Sequence, residues 1–340
     1  MNVLAPWERT DWTGDPALEA QVRQAIDHNN LSHGWLITGP SAIGKATFAY
    51  RIARAILSQD DLVDDQSLDI REAAKTQSLI AAKAHPDLFV AERRWDEKKA
   101  KFESEISVDT VRKLTAFLTR TASMGKWRVA IIDTADDLNR NAANALLKAL
   151  EEPPRNTLIL LTSSAPGRLI ATIRSRCRRL DLKRLSDDQV RDFLIAQETI
   201  LPDAELDLVV AAANGRPGYG LTLADGEGGA AVSAVNDFLK LAKSRGDVNI
   251  VASKLVGKGS DGRWEIFKQL IMDEISSAIR SVDSNGNKPA SLENVSPAAL
   301  LRLWDDFSGY LGRGEGLNLD RMQLILAMHR RLTEATRAVS

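Results

Sequence analysis

A glycine-containing loop with one lysine is the first candidate for a reactive site, and it has the sequence Gly39-Pro40-Ser41-Ala42-Ile43-Gly44-Lys45-Ala46-Thr47. An apolar run at residues 35–38 precedes this loop and a helical pattern follows it, which is the context of a phosphate-binding loop. The glycines let backbone N–H groups turn toward a phosphate, and the N-terminus of the helix adds its dipole. Lys45 would reach the outer phosphates as a compact point charge. The loop therefore predicts binding of a nucleotide phosphate.

One position of the loop departs from the motif. The motif calls for Ser or Thr directly after the lysine to hold Mg²⁺, whereas this chain has Ala46, which offers no oxygen. Thr47 could offer a hydroxyl one residue later if the turn were shifted. Phosphate binding and ATP turnover are therefore separate questions, and Ala46 argues against turnover.

A second candidate site follows another apolar run. Residues 129–132 are apolar, and Asp133 follows them directly. This is the pattern of a buried parallel strand with an acid at its carboxyl end. In a P-loop protein this Walker B aspartate steers Mg²⁺. A glutamate usually comes next and polarises the attacking water, but here Thr134 comes next and cannot act as a base at neutral pH. The alternative, a strand merely capped by an aspartate, is weakened by the glycine loop.

The predicted secondary structure around these residues alternates between strands and helices up to about residue 185. Apolar runs predict strands at residues 35–38, 88–90, 128–133, 157–162 and 180–182. Helical spacing predicts helices at residues 16–30, 48–57, 70–84, 108–122 and 138–152, with a charged hairpin or loop at residues 92–105. This alternation predicts an α/β P-loop domain with a parallel sheet at residues 1–185.

From residue 186 onward the pattern predicts helices only. They are expected at residues 187–197, 202–214, 231–244, 250–256, 264–282, 297–311 and 320–338. Glycine-rich segments are expected to break the chain at residues 215–218 and 225–229, and loops are expected at residues 283–289 and 312–317. We therefore predict a small helical lid domain at residues 186–228 and an all-helical domain at residues 229–340.

Composition narrows the class of protein. With 340 residues, 44% hydrophobic, 27% charged and a net charge of -1, the chain is an ordinary globular protein with no global attraction to DNA or membranes. Its single cysteine, Cys177, excludes an internal disulfide and suits a reducing cytoplasm. No signal peptide or membrane-spanning run is visible in the sequence. His28 and His33 lack carboxylate or thiolate partners at ligand spacing, so packing beside the loop is favoured over a metal site.

Three further stretches carry a family resemblance. They are Leu31-Ser32-His33-Gly34, Asn141-Ala142-Ala143-Asn144-Ala145-Leu146-Leu147-Lys148-Ala149-Leu150-Glu151-Glu152-Pro153-Pro154 and Ser175-Arg176-Cys177. Together they resemble the bacterial DNA polymerase III clamp-loader ATPases, which are AAA+ P-loop proteins. The resemblance covers about residues 20–185 by motif and residues 186–340 by architecture alone.

The departures from the motifs resemble one branch of that family, the delta-prime subunits. The hydrolysing subunits carry Thr after the loop lysine and Glu after the Walker B aspartate, whereas this chain has Ala46 and Thr134. The resemblance therefore implies a non-hydrolysing stator that requires no cofactor, although its loop could still bind ATP or ADP. Many relatives carry a four-cysteine zinc module after the loop helix; residues 57–85 contain no cysteine, so neither zinc nor another metal is expected.

The resemblance also implies partners and a catalytic role in trans. The family forms an open five-subunit ring with gamma/tau and delta subunits, held by a collar of the C-terminal helical domains. Arg176 would then be an arginine finger that stabilises charge on the γ-phosphate of ATP bound to a neighbouring ATPase subunit. Through this complex the chain would act on the sliding clamp and on primer–template DNA, as part of a DNA-directed DNA polymerase holoenzyme and with no membrane partner.

Alternatives stay open from the residues themselves. An active AAA+ ATPase, either a clamp-loader subunit or a DNA remodeller, is the main competitor, and a small-molecule P-loop kinase is a weaker one. Glu151 and Glu152 fit either a solvated helix end or a contact with a neighbouring subunit. The arginines of residues 174–184 are further candidates for contact with DNA phosphates, although surface arginines are common.

Overall fold

The structure, a computed structural model, describes residues 4–28, 30–64, 66–71, 74–97, 101–244, 247–257, 259–283, 292–317 and 319–337. The chain divides into two compact units. One comprises Asn2–Phe193 with Gly215–Tyr219, and the other comprises Leu194–Asn214 with Gly220–Ser340.

The first unit is built around a parallel sheet of five strands. The strands of this sheet are β1 (Gly34–Thr38), β2 (Leu88–Ala91), β5 (Arg128–Ile132), β6 (Thr157–Ser163) and β7 (Arg178–Asp181). Two further strands, β3 (Trp95–Asp96) and β4 (Lys101–Phe102), form a separate small hairpin. The helices are α1 (Pro16–Asp27), α2 (Lys45–Leu57), α3 (Lys75–Ala81), α4 (Val108–Leu118), α5 (Arg140–Glu151) and α6 (Ala171–Arg174). The sheet order is β2-β5-β6-β1-β7, and every neighbouring pair is parallel.

The central strands are buried along their whole length because helices cover both faces of the sheet. Successive side chains alternate between the two faces, so Ile131 joins a core cluster with α2 while Ile132 joins a cluster with α4 and α5. This arrangement brings the carboxyl ends of β1, β5 and β6 to one edge of the sheet. That edge holds the glycine loop, Asp133 and the polar end of β6.

From Asp187 onward, the regular elements in the described residues are all helices. The helices are α7 (Asp187–Ala196), α8 (Asp203–Ala213), α9 (Pro217–Ala224), α10 (Gly226–Ser244), α11 (Asn249–Leu255), α12 (Asp261–Asp283), α13 (Pro297–Leu317) and α14 (Arg321–Arg337). Within the second unit α10 packs against α12 and α14, and α13 packs against both α12 and α14. The rings of Phe238 and Phe267 meet edge to face in this core at 5.6 Å. No helix in the described ranges is long and apolar enough to cross a membrane.

The predicted fold class, an α/β P-loop domain with a parallel sheet followed by helices, is confirmed. The predicted charged hairpin is present as β3 and β4. The three-domain division remains a prediction, and most of the loop expected at residues 283–289 lies outside the described residues.

Several segment predictions are wrong. The helix expected at residues 70–84 is only α3, since Ile70 instead forms an isolated bridge with Leu62. A break does fall within residues 215–218, since α8 ends at Ala213 and Gly215 has φ +70°, but it is shorter than expected because α9 already begins at Pro217, a residue suited to the first turn of a helix. The break expected at residues 225–229 is confined to Asp225, between the end of α9 and the start of α10 at Gly226. The loop expected at residues 312–317 belongs to α13. Each helical glycine costs about 1 kcal/mol relative to alanine, a cost that the packing of long helices outweighs.

Candidate functional site

The glycine loop joins β1 to α2 and is shaped by its backbone. Gly39 has φ +150° and Gly44 has φ +99°, conformations that favour glycine. A Cβ atom at Gly39 would lie 2.7 Å from the carbonyl oxygen of Leu182, so no larger residue fits there without a shift of backbone. On another side, the N–H of Gly218 donates to the carbonyl of Ala42 at 3.0 Å. The loop is therefore held by close contacts of backbone with backbone.

The ammonium group of Lys45 is fully engaged by its own chain. Its Nζ donates to the carbonyls of Gly39 at 3.0 Å and Pro40 at 2.8 Å, and to the hydroxyl of Ser164 at 2.8 Å. A lysine has three N–H donors, which matches these three acceptors. Burial lowers the pKa of Lys45, and the nearby carboxylates of Asp133 and Asp136 oppose that shift. This lysine is a buried internal link of the loop.

The two acids nearest the loop are tied to the end of β6. Asp133 accepts a hydrogen bond from the hydroxyl of Thr162 at 2.6 Å. Asp136 accepts from the hydroxyl of Ser163 at 2.6 Å and from the backbone N–H groups of Ser164 at 2.6 Å and Ala165 at 3.2 Å. Sequence reasoning found Asp133 but missed Asp136 and Ser164. The signal was present, since a second acid follows Asp133 by three residues and a second serine follows Ser163, the last residue of β6.

Two side chains that the P-loop motif places around Mg²⁺ and the attacking water are replaced here. Ala46 lies in the first turn of α2 without an oxygen, and Thr134 brings no carboxylate to the edge of the sheet. The two carboxylates that are present accept hydrogen bonds from β6, and Lys45 donates to its own loop. More generally, within the part of the chain that the structure describes, no cluster of three or more His, Cys, Asp or Glu residues could hold a metal ion.

The three stretches that carried the resemblance meet at the opposite end of β1. A Cβ atom at Gly34, the first residue of β1, would lie 3.0 Å from Cδ2 of Leu150 and 3.2 Å from Sγ of Cys177. Nε2 of His33 lies 2.9 Å from the carbonyl oxygen of Leu150, which accepts the hydrogen bond. The stretches at residues 31–34, 141–154 and 175–177 therefore meet at this end of β1, and we call the place where they meet the Ser-Arg-Cys edge. His33 packs there rather than beside the glycine loop.

Arg176 and Cys177 differ in environment on this edge. The Arg176 guanidinium donates through Nη1 to the carbonyl of Thr172 at 3.1 Å, and its Nη2 pairs with Oε1 of Glu151 at 2.8 Å. Its side chain is 35% exposed. The Cys177 thiol is packed near Gly34, and burial raises its pKa to about 12. On this edge, the Arg176 guanidinium is therefore accessible at the surface, whereas the adjacent Cys177 thiol packs inward as an anchor.

The structure therefore separates the predicted site residues into two groups. Lys45, Asp133 and Thr134 gather at the carboxyl end of the sheet, while Arg176 lies at the amino end of β1. The five residues of β1 separate the two groups by about 13 Å of strand rise. Arg176 contacts Glu151 and Thr172 instead of the glycine loop of its own chain.

Comparison with known proteins gives consistent matches. The family model described as "DNA polymerase III, delta subunit" matches residues 14–186, about half of the chain. DNA polymerase III subunit delta' of Pseudomonas aeruginosa is 38% identical over 177 residues, which cover 52% of this chain and 48% of that protein. Subunit delta' of Escherichia coli is 28% identical over 306 residues, 88% of this chain and 86% of that protein. Subunit tau of Bacillus subtilis is 26% identical over 298 residues, 86% of this chain and 49% of that protein. The match thus spans about half the length of the Pseudomonas and Bacillus relatives.

Proposed function

This chain belongs to the DNA polymerase III delta-subunit family, and on that premise we propose that it is a non-hydrolysing stator subunit of the clamp loader, with Arg176 acting in trans. Its neighbours in the complex would be ATPase subunits of the gamma/tau kind and a delta subunit, in a hetero-pentamer in the cytoplasm. Through that complex it would help to open the sliding clamp and place it on primed DNA.

The absence of hydrolysis is supported by what surrounds the glycine loop. Lys45 donates all three of its N–H groups within the chain, Ala46 has no oxygen for Mg²⁺, and Thr134 has no basic side chain. ATP or ADP could still bind through backbone N–H groups of the loop, without turnover. On this proposal the loop serves chiefly as the connection that fixes β1 to α2.

The observation that carries the proposal is the position of Arg176 at the far end of β1 from its own glycine loop. Across about 13 Å of strand, its side chain cannot serve the phosphate site of the same chain. A half-exposed guanidinium on an outer edge can instead enter the nucleotide site of the next subunit in a ring. There it would stabilise the charge that develops on the γ-phosphate, and such fingers contribute about 10³–10⁵ in rate.

The test is Arg176→Ala in the reconstituted complex with its ATPase and delta subunits. Hydrolysis at the site that this chain serves is expected to fall by about 10³-fold or more, followed as single-turnover ATP cleavage. Arg168→Ala, which removes an exposed arginine of the same unit, is the matched control and should leave the rate unchanged.

Two outcomes would contradict the proposal. Unchanged hydrolysis in the Arg176→Ala complex would exclude the finger role. Robust turnover by the isolated chain, lost on Lys45→Ala, would exclude the stator role and favour the competing hypothesis of an active ATPase.

A further inference from the structure

The guanidinium of Arg176 is held at two points by its own chain. Nη2 contacts the carboxylate of Glu151 at 2.8 Å, and Nη1 donates to the carbonyl of Thr172 at 3.1 Å. Glu151 ends α5 and Thr172 lies in α6, so two separate elements fix the direction of one side chain. A guanidinium has five N–H donors, so three remain beyond these two contacts for another acceptor.

Glu151 directly follows a residue that is buried and hydrogen-bonded. Its preceding residue, Leu150, is only 1% exposed and packs against Gly34, and the Leu150 carbonyl accepts a hydrogen bond from His33. Yet a carboxylate at the C-terminal end of a helix is unfavourable, because the helix dipole is negative there. The dipole of α5 therefore does not stabilise the Glu151 carboxylate, which pairs instead with the guanidinium of Arg176.

We propose that Glu151 is a positioning residue for Arg176, an inference that rests on the proposed function in trans. The carboxylate orders the long arginine side chain before the neighbouring subunit arrives. Because the Arg176 side chain is already ordered, less conformational entropy is lost when its remaining N–H donors contact the γ-phosphate of ATP bound to the neighbouring subunit in the transition state. Since the pair is half-exposed, Glu151 tunes the rate by a modest factor, whereas Arg176 supplies the main effect.

The inference predicts a specific pattern of kinetics in the reconstituted complex. Glu151→Ala is expected to lower kcat for ATP at the served site about two- to fivefold and to leave KM unchanged. Glu151→Gln keeps an oxygen that accepts from Nη2, so it should retain part of the lost rate. Glu105→Ala, which removes an exposed glutamate of the same unit outside the Ser-Arg-Cys edge, is the control and should behave as the unmodified chain.

A double-mutant cycle separates positioning from a general structural role. In the Arg176→Ala background, Glu151→Ala should cause no further loss, since its effect passes through the guanidinium. A further loss there, or a rise in KM with kcat unchanged, would overturn the inference. Thermal unfolding of each variant checks that the edge stays folded, and Glu151→Gln covers the case in which Glu151→Ala does not fold.

The failure of this inference differs from the failure of the proposed function. If Arg176→Ala lowers hydrolysis and Glu151→Ala does not, the positioning role alone is wrong. If Arg176→Ala leaves hydrolysis unchanged, the finger role is wrong and the positioning role is wrong with it.

Discussion

The glycine loop and the Ser-Arg-Cys edge lie at the two ends of β1 and are built on opposite principles. At the loop, a buried cation meets three neutral acceptors of its own chain. At the edge, a half-exposed cation meets one carboxylate and one carbonyl and keeps donors beyond them. The comparison teaches that a residue type capable of chemistry is available for chemistry only if its polar groups are not already satisfied within the chain.

The first prediction compares glycines from the two ends. Gly39→Ala combines a left-handed backbone with a Cβ 2.7 Å from a backbone oxygen, so it is expected to lower the free energy of unfolding by about 3 kcal/mol. A Cβ atom in Gly34→Ala meets the ends of two side chains at 3.0 and 3.2 Å, and meets the backbone oxygen of Arg176 at an ordinary contact distance of 3.5 Å, so it is expected to cost about 1 kcal/mol. Urea unfolding measures both values. Equal losses would show that the loop is no more tightly fixed by its backbone than the edge.

The second prediction sharpens the contrast between neighbours on the edge. Because burial raises the Cys177 pKa to about 12, iodoacetamide at pH 8 meets about 10³-fold less thiolate in the folded chain than in the unfolded chain. The higher nucleophilicity of a basic thiolate offsets about 20-fold of this, so alkylation should be about 50-fold slower when folded. Mass spectrometry follows the single adduct, since the chain has one cysteine. Similar rates in the folded and urea-unfolded chains would mean that Cys177 is not an internal anchor.

Much of this comparison could be predicted from local pattern. The apolar runs located β1, β5 and β6, and the glycine spacing located the loop, because both signals depend on residues close in sequence. The resemblance singled out Arg176 and Glu151, but not their pairing. That pair joins residues far apart in sequence, and it exists only because α5 and α6 end beside each other. The link from Lys45 to Ser164 is equally non-local, so no local pattern reports it.

The third prediction tests directly whether the two cations differ in kind. Lys45→Met keeps an unbranched apolar stem but removes the ammonium group, which leaves three acceptors, the carbonyls of Gly39 and Pro40 and the hydroxyl of Ser164, without their donor. Unsatisfied buried acceptors cost about 1–3 kcal/mol each, but removing a buried charge returns part of that cost, so a net loss of about 1–2 kcal/mol is expected. Arg176→Met breaks only a half-exposed pair and should cost less than about 1 kcal/mol. Both are measured as shifts of the urea midpoint at constant slope. A Lys45→Met variant as stable as the unmodified chain would mean that the ammonium is not a structural link of the loop, and the two ends of β1 would then differ only in exposure.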